Sequence, residues 1–419
     1  MHNLSNANQV ITFGCRLNAY ESQVIKMKLK EANAQDCIVI NTCSVTKEAI
    51  KKAKQEVRIQ KRKNPLAKII VTGCAAQIDP EMFSKMPEVF QVIGNEEKLH
   101  SVNYYGTQTE KILVNDIMSI KETAGHLVSH FENNTRAFVQ IQNGCNHRCT
   151  FCTIPYGRGN NRSVPIGAII SQIKHLVEVG YKEVVLTGVD ITDYGCDLPG
   201  KSTLGQATNR ILNLVPELQR LRLSSVDVAE IDPELLELIK YHPKLMPHLH
   251  ISMQSGDNMI LKRMKRRHSR EEVINFCNEV RQTRSEVAFG ADIIAGFPTE
   301  TDQMFENTKN LVDEAGLQYL HVFPYSAHPN TPASKMPQVE NKIKKERTQI
   351  LIQKGKEQLD KFLQSNIGKC GKLLVEKDNS GYTENFIHAK IFNKDIQSGT
   401  IVLAKLEAIQ EGQMIVSLL

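Results

Sequence analysis

The sequence predicts an α/β protein in three parts: an N-terminal parallel α/β sheet domain, a central partial α/β barrel and a small C-terminal all-β barrel. At 419 residues the chain is longer than one hydrophobic core usually serves, so two or three domains are expected. Strand and helix patterns alternate over 8–116 and again over 137–325, which is typical of parallel sheets covered by helices. The tail, 367–419, changes to short strand patterns separated by Gly, Asn and Asp.

The N-terminal domain is predicted to contain five strands. They are Val10–Phe13, Cys37–Ile40, Lys68–Thr72, Phe90–Ile93 and Ile112–Val114. Apolar residues at helical spacing predict a helix over 18–32, and 46–63 has the pattern of a charged helix. A polar stretch around Asn133 and Asn134 marks a boundary, and the first domain is placed at 1–130.

The central domain, placed at 131–365, has six strand candidates. They are Ala137–Ile141, Glu183–Leu186, Leu221–Ser225, His248–Met253, Ala288–Ile294 and Leu320–Tyr325. Helices are predicted between them over 166–179, 232–240, 257–283 and 300–315, and a long charged helix over 340–364. Six such units indicate a full or partial α/β barrel. An open doubly wound sheet has the same alternation, and counting strands does not separate the two.

The C-terminal domain, placed at 366–419, has four short strand candidates. They are Leu373–Val375, Ile387–Ile391, Thr400–Ala404 and Met414–Leu418. Short alternating strands joined by turn residues favour a small barrel.

Composition limits the class of protein. No stretch approaches the roughly 18 apolar residues of a membrane span, and Met1–Val10 is polar, without the apolar centre of a signal peptide. We therefore expect a cytoplasmic protein with no membrane partner. The net charge of +6 is compatible with a nucleic-acid partner but weak evidence for one. Basic residues crowd 51–63 and 262–270, and for each cluster taken alone a solvated helix face is the favoured interpretation.

Three of the ten cysteines form the most specific motif. Cys145, Cys149 and Cys152 follow a C-x3-C-x2-C pattern, and in a cytosolic chain such spacing favours metal or redox chemistry over disulfides. Three thiolates on a tight loop leave one iron of a four-iron cluster without a protein ligand, and that iron can bind substrate. Coincidence and a structural zinc site are the alternatives; zinc needs a fourth ligand, for which His147 is poorly placed.

Three more cysteines each follow a predicted strand of the first domain. Cys15, Cys43 and Cys74 are separated by 28 and 31 positions, but strands of a parallel sheet end at one edge, where open α/β sheets bind ligands. Burial as small apolar side chains is the alternative. Their equivalent positions predict a second three-thiolate cluster.

The triplet within Gly144–Cys152 resembles the signature of the radical S-adenosylmethionine (SAM) superfamily. The resemblance implies a [4Fe–4S] cluster whose open iron binds SAM, and reductive cleavage of SAM to a 5′-deoxyadenosyl radical. It also implies that Phe151, just before the third cysteine, lies beside the SAM adenine.

Both cysteine sets together resemble the methylthiotransferase family of radical SAM enzymes. The similarity includes Gly14–Asn18, Asn41–Thr46, Gly73–Gln77 and Ile154–Gly159. It implies two [4Fe–4S] clusters, one that binds SAM and one auxiliary, and two uses of SAM: one molecule methylates a sulfur and another provides the radical. Beyond the cluster ligands and bound SAM, no catalytic residue is expected.

Further SAM contacts are predicted at strand ends. Gly188 lies in Thr187–Asp190, where many radical SAM enzymes have the Gly-Gly-Glu that holds the SAM amino group. Ser224 and Gln254 could reach the SAM ribose or carboxylate, or be ordinary polar strand ends. Gly296 could let the backbone approach the adenine closely.

Residues around the clusters suggest the substrate. Gly14–Ser22, Asn146–Arg148, Tyr156–Ser163 and Gly381–Phe386 look most like the family branch that acts on threonylcarbamoyladenosine. The tail is similar to the TRAM domain, a small RNA-binding barrel. The resemblance implies methylthiolation of C2 of threonylcarbamoyladenosine 37, next to the tRNA anticodon. Isopentenyladenosine in tRNA or an aspartate of a ribosomal protein is the alternative target, and a non-catalytic iron–sulfur carrier or RNA-binding module is the alternative class.

Partners follow from this hypothesis. They are the tRNA anticodon stem-loop, an electron donor such as flavodoxin or ferredoxin, and a sulfur source. The segment Lys262–Arg270 is expected to contact RNA phosphates, because the tail lacks a dense basic surface.

Overall fold

The computed structural model describes residues 8–105, 110–122, 135–392 and 394–419. The predicted boundary at Asn133 and Asn134 lies outside these residues. The described chain forms a five-stranded parallel sheet, a central set of parallel strands and a closed β-barrel, which confirms the predicted fold class. No helix in these ranges combines the length and the apolarity that crossing a bilayer requires.

The N-terminal sheet has five parallel strands in chain order. They are β1 Gln9–Thr12, β2 Cys37–Thr42, β3 Lys68–Gly73, β4 Gln91–Ile93 and β5 Ile112–Leu113. The helices are α1 Arg16–Glu31, α2 Lys47–Lys63, α3 Cys74–Ile78 and α4 Pro80–Ser84. Helix α1 covers the face with Val39, and α2 covers the opposite face with Ile38. Both faces are thus buried, as expected for a parallel sheet.

The central domain contains seven parallel strand segments and a short antiparallel pair. The segments are β6 Arg136–Gln140, β9 Glu183–Thr187, β10 Arg220–Leu223, β11 Ser225–Val226, β12 His248–Gln254, β13 Ala288–Ala295 and β14 Tyr319–Pro324, and the pair is β7 Gln142–Asn143 with β8 Arg162–Ser163. The helices are α5 Ile154–Arg158, α6 Ile166–Glu178, α7 Leu204–Leu214, α8 Pro233–Tyr241, α9 Asn258–Met264, α10 Arg270–Thr283, α11 Asp302–Glu314 and α12 Asn341–Asn366.

Strand order identifies this domain as a partial barrel. The strands pair as β6–β9–β10 and as β11–β12–β13–β14, and β10 and β11 are one run interrupted at Ser224. Six strands therefore follow one another in chain order, without the reversal that defines a doubly wound sheet. The barrel stays open between β6 and β14, which do not pair in the described chain.

The prediction of one continuous helix over 257–283 is wrong. The structure divides it into α9 and α10, because Lys265 has a left-handed backbone (φ 59°) and ends α9. Ser269 then begins α10 with a capping box, accepting a bond from the Glu272 amide while the Glu272 side chain returns to Ser269. The Ser-x-x-Glu pattern of this cap is present in the sequence.

The tail forms the predicted barrel. Its strands are β15 Cys370–Val375, β16 Ser380–Tyr382, β17 His388–Ile391, β18 Ile401–Gln410 and β19 Gln413–Leu418, closed in the order β15–β16–β17–β19–β18. The short strand β16 is absent from the predicted set, since three residues carry too little alternation. Leu373, Ala389 and Val416 lie in the barrel core.

The small barrel covers the amino ends of the central strands. Arg222 of β10 donates to the backbone oxygens of Thr383 and Glu384, each at 2.8 Å. Phe386 stacks on His248 of β12 with ring centroids 4.3 Å apart. These contacts close the end of the central barrel that lies away from the cysteine loop.

A buried ionic group joins the N-terminal and central domains. Arg158 at the end of α5 donates to both carboxylate oxygens of Glu21 on α1, at 2.7 and 2.9 Å. Lys98 also reaches Glu21 at 2.7 Å, and all three side chains are at most 1% exposed. Burial alone would raise the pKa of Glu21, but the attraction of Arg158 and Lys98 outweighs it and lowers the pKa to about 2.

We predict that Glu21→Gln lowers the free energy of unfolding by about 3–5 kcal/mol, because two buried cations lose their charged partner. Urea denaturation of the metal-free protein at pH 7 measures this loss. Since the pKa is depressed in the folded state, the stabilisation is complete above the ordinary glutamate value of about 4.3. It is lost as the pH falls from there towards 2.

Glu31→Gln is the matched control on the same helix. Glu31 forms a partly exposed pair with Lys28, so its replacement should change the free energy of unfolding by less than about 1 kcal/mol. Equal destabilisation of the two variants would contradict the role assigned to the buried pair.

Candidate metal and S-adenosylmethionine site

The sheet edge of the N-terminal domain brings three cysteines together. Thr42 lies opposite Gly73 in the register of β2 and β3, so Cys43 and Cys74 follow at the same level. Gly14 has φ 100°, and a Cβ there would lie 2.8 Å from the Cys43 Cβ. This glycine therefore lets the loop that carries Cys15 approach Cys43 closely.

The surroundings of these thiols suit a metal cluster. Burial, together with the neighbouring Cys74 and Cys15, raises the pKa of Cys43 to about 11. Three mutually repelling thiolates need a cation to be held together. The backbone amide of Val45 donates to the Cys43 sulfur at 3.5 Å, and the side-chain amide of Asn95 donates to the Cys74 sulfur at 3.9 Å. Such bonds stabilise thiolate ligands.

The cysteine triplet occupies a loop after β7, at the carboxyl ends of the central strands. The His147 and Ile154 amides donate to the sulfurs of Cys145 and Cys152, at 3.3 and 3.4 Å. Burial raises the pKa of Cys152 to about 12. Arg266 approaches the Cys149 sulfur at 3.7 Å. All three thiols thus have a donor or a cation that would favour the thiolate form.

The structure disfavours zinc at the triplet. The Nε2 atom of His147 lies 2.9 Å from Asp190 and 3.3 Å from Glu230, and Arg267 contacts both His147 and Glu230. The imidazole is thus held by carboxylates and is not turned towards Cys149 and Cys152. A geometric set of Cys145, His147 and Asp190 exists, but it uses only one cysteine of the triplet.

The two cysteine sites share one wall, formed by α5. A Cβ on Gly157 of this helix would lie 3.2 Å from the Cys74 Cβ. The Asn95 side chain donates to the Gly157 carbonyl at 2.5 Å, and Ser44 and Thr153 approach each other at 3.4 Å. Helix α5 begins two residues after Cys152, so one short helix adjoins both sites, and the charge of Cys74 acts on Cys152.

The predicted SAM residues lie at this end of the barrel. Phe151 packs edge-on against Phe297, with centroids 6.3 Å apart. Gly188 follows β9, where a Cβ would lie 2.8 Å from Gln142 Oε1. Asp190, two residues on, lies 3.6 Å from the Cys145 sulfur. We propose that the Asp190 carboxylate holds the SAM amino group in place of the glutamate found in other radical SAM enzymes.

Ser224, Gln254 and Gly296 also end central strands. Ser224 is buried at the break between β10 and β11, and Gln254 ends β12 with φ 69°. Gly296 has φ 69° as well, and the Lys344 side chain fills the direction in which a Cβ would point. A role in SAM binding stays a proposal for all three residues.

Sequence reasoning missed Gln142, although it joins two parts of the site. Its Oε1 atom accepts bonds from the amides of Val189 and Asp190, both at 2.9 Å. Its amide nitrogen donates to the Gly144 carbonyl at 2.6 Å. Gln142 thereby holds the loop after β9 against the start of the cysteine loop. A glutamine three positions before Cys145 carries no pattern that would have revealed this.

Several arginines of Lys262–Arg270 have partners within the protein. Arg266 is bound to Asp227 at 2.8 Å and to the Ser252 carbonyl at 2.6 Å. Arg267 pairs with Glu230, and Arg270 with Glu314. These guanidinium groups connect the barrel with the cysteine loop, whereas Lys262 and Lys265 are exposed. Phosphate binding by this segment stays a prediction.

Sequence reasoning also missed a histidine group in the barrel. The Nε2 atom of His250 lies 3.1 Å from Asp292 and the Nδ1 atom of His321 lies 3.4 Å from the same carboxylate oxygen. From the sequence alone His250 has no such neighbours, which favours a purely structural role. The three residues lie on β12, β13 and β14, and only pairing of these strands brings them together.

The comparisons with known proteins agree with this geometry. The model of the radical SAM superfamily matches residues 139–312, and that of an uncharacterized protein family, UPF0004, matches 8–94. A cobalamin-binding radical SAM methyltransferase, TsrM from Kitasatospora setae, has a TM-score of 0.59 and 11% identity, covering 78% of this chain and 76% of its own. That likeness concerns the fold. Partial barrel, cysteine loop and superfamily match together define a radical SAM enzyme.

Sequence relatives specify the family. The threonylcarbamoyladenosine tRNA methylthiotransferase MtaB of Rickettsia prowazekii is 58% identical, over 97% of this chain and 96% of its own; that of Aquifex aeolicus is 37% identical, over 90% and 95%. The tRNA-2-methylthio-N(6)-dimethylallyladenosine synthase of Ehrlichia canis is 32% identical, over 90% and 89%. The chain belongs to the radical SAM methylthiotransferase family, whose cofactors are SAM and two [4Fe–4S] clusters.

We propose that Cys145, Cys149 and Cys152 hold the SAM-binding cluster, and that Cys15, Cys43 and Cys74 hold the auxiliary one. Replacing all three cysteines of either set by alanine should then remove about four of eight irons, since each set holds one four-iron cluster. Removing the N-terminal set should leave SAM cleavage to 5′-deoxyadenosine intact, and removing the triplet should abolish it. Iron and sulfide analysis with anaerobic SAM cleavage assays measures both effects.

Cys370→Ala is the matched control, because Cys370 is exposed in the C-terminal barrel. It should retain all iron and full activity. If the N-terminal triple variant keeps all eight irons, the auxiliary ligands have been assigned to the wrong residues.

Proposed function

We propose that this protein attaches a methylthio group to C2 of threonylcarbamoyladenosine 37 in tRNA, giving 2-methylthio-threonylcarbamoyladenosine. The observation that carries the proposal is the wall shared by the two cysteine sites. Hydrogen abstraction and sulfur transfer must act on one carbon, so the two sites have to face the same space. The relatives at 58% and 37% identity carry this activity in their names.

The protein's own residues position and shield the reactants. When bound, SAM and the two clusters supply the radical, the methyl group and the sulfur. Gln142 orients the loop with Asp190 towards the SAM position. Phe151 and Phe297 provide an apolar surface beside it. Arg158 keeps α5, and with it the shared wall, against the N-terminal domain.

RNA docking is proposed for helix α2. Its solvent face carries Lys51, Lys52, Arg58, Arg62 and Lys63, all exposed. The Arg58 Nε atom lies 3.9 Å from the nearest carboxylate oxygen of Glu88. A surface ion pair at this distance contributes little, so Arg58 remains available to a phosphate. The helix begins at the Thr46 cap, three residues after Cys43. Phosphates bound along α2 would therefore bring the anticodon loop close to both cysteine sites.

The remaining partners are inferred from the chemistry of the reaction. Reductive SAM cleavage needs one low-potential electron, for which a carrier such as flavodoxin or ferredoxin is suited. Each methylthio group transferred consumes a sulfur atom, so a sulfur source must restore it. Because tRNA is the substrate, we place the protein in the cytoplasm.

We predict that cells lacking this gene lose 2-methylthio-threonylcarbamoyladenosine and accumulate threonylcarbamoyladenosine. Mass spectrometry of tRNA nucleosides measures both, and the intact gene should restore the modified nucleoside. Loss of the isopentenyl analogue instead would contradict the substrate and retain the chemistry. Unchanged methylthio-nucleosides would contradict tRNA methylthiolation and direct the search to ribosomal proteins.

We predict that replacing Lys51, Arg58 and Arg62 by Gln weakens anticodon stem-loop binding. The slope of log affinity against log salt should fall by about 0.7–0.9 for each phosphate that the variant no longer neutralises. Lys262→Gln with Lys265→Gln is the control, because these exposed lysines lie in the other basic segment, whose arginines are paired within the protein. Fluorescence anisotropy over a salt series measures the binding of both variants. Equal weakening of the control variant would contradict the proposed interface on α2.

A further inference from the structure

Arg16 extends from the N-terminal domain into the central barrel. It follows Cys15 directly and is the first residue of α1, which packs on the central core through Leu17 and Tyr20. Its charged neighbours are Arg136, Arg222, Asp292 and Glu183. These residues lie on β6, β10, β13 and β9. The guanidinium of Arg16 is therefore close to charged groups from four strands of the central barrel, and its helix α1 packs beside β6.

The carboxylates near Arg16 already have partners. Glu183 binds Arg222 at 2.7 Å and Arg220 at 3.3 Å. Asp292 is held between His250 and His321, at 3.1 and 3.4 Å. Within the described chain, the guanidinium of Arg16 makes no hydrogen bond or ion pair.

Arg16 is therefore a cation without a counter-ion in a half-buried position. Two further arginines, Arg136 and Arg222, are among its charged neighbours and repel it, while the neighbouring Glu183 and Asp292 are bound to other groups. An uncompensated charge away from water is unfavourable. A bound anion would relieve both the desolvation and the repulsion.

The proposed substrate offers such an anion. In threonylcarbamoyladenosine, threonine is attached through its nitrogen, so its carboxylate remains free and charged. Unmodified adenosine has no such group, and an isopentenyl chain is uncharged. A planar guanidinium matches a carboxylate with two parallel bonds.

We propose that Arg16 binds the free carboxylate of the threonylcarbamoyl group and selects this substrate over adenosines with neutral side chains. The inference rests on the proposed function. Arg16 would then determine specificity, because it would contact a part of the substrate that is remote from the reacting C2 atom. It would disfavour an adenosine with an apolar chain, since the charge of Arg16 would stay unpaired in that complex.

The carboxylate of SAM is a less suitable partner. The charges that act on Arg16 include Arg136 and Glu183, the first residues of β6 and β9. The cysteine loop, where SAM binds, lies beyond the opposite ends of these strands.

Two synthetic anticodon stem-loops test the proposal. One carries threonylcarbamoyladenosine, and the other carries its carboxamide, which has the same shape without the charge. The cluster-loaded wild-type enzyme should prefer the carboxylate by roughly 10- to 100-fold in kcat/KM, the range for a charge-assisted bond. Arg16→Gln should lose this factor on the carboxylate and remain within about threefold of wild type on the carboxamide, where no charged bond is at stake.

Three measurements separate this role from a structural one. Arg16→Gln should keep its iron content, its KM for SAM and its yield of 5′-deoxyadenosine. Arg16→Lys, which keeps the charge without the planar fork, should retain part of the preference. Arg210→Gln removes an exposed arginine on α7 and should retain all of it.

Two results would overturn the inference. One is a wild-type enzyme that treats the carboxylate and the carboxamide alike, which needs no variant to observe. The other is a cluster-loaded Arg16→Gln enzyme that keeps the wild-type preference. A wild-type enzyme that modifies neither stem-loop but does modify an isopentenyladenosine stem-loop would overturn the proposed function itself, and is thus distinguishable.

Discussion

A guanidinium that is buried away from water must donate its hydrogen bonds to neighbouring protein groups. Arg158 donates to side chains from segments that are far apart in the sequence. It binds Glu21 and Asn18 of α1, and Asn143 just before the cysteine loop. Asn18 in turn donates to the carbonyls of Phe13 and Thr42, which precede Cys15 and Cys43. One buried charge thus orients loops of both cysteine sites, and their relative position depends on it.

This arrangement explains why a costly buried ion pair is retained. Such pairs contribute little net stability compared with apolar packing. They demand one geometry, however, because any shift leaves a charge without water or partner. Two sites that must act on one substrate carbon benefit from that demand: apolar surfaces could slide, whereas the bidentate bond between Arg158 and Glu21 cannot do so without breaking.

The two basic segments differ in what surrounds their charges. In 262–270, arginines contact acids and carbonyls of the protein, and Arg266 approaches the Cys149 sulfur. Along α2, the basic residues lie on the outer face, opposite Val57 in the core. An equal density of Lys and Arg in the sequence therefore corresponds to different surroundings, decided by which face of each helix is packed.

Local pattern was sufficient for the fold class, and it predicted the two groups of cysteines. Strand periodicity, the C-x3-C-x2-C spacing and cysteines after three successive strands depend only on neighbouring residues and on the rule that parallel strands end together. The break at Lys265 escaped because a left-handed lysine has no sequence signature, although the Ser269 cap that follows does.

Other features were decided by tertiary structure alone. His250, Asp292 and His321 meet because β12, β13 and β14 pair, and Gln142 matters because its oxygen faces the loop after β9. Arg16 is unpaired because strand pairing commits Glu183 and Asp292 to other partners. The sequence by itself determined the principal strands and helices and the spacing that makes the cysteines candidate iron ligands, since both follow from local patterns. Only the folded chain decided which charges are satisfied, because that depends on contacts between residues distant in sequence.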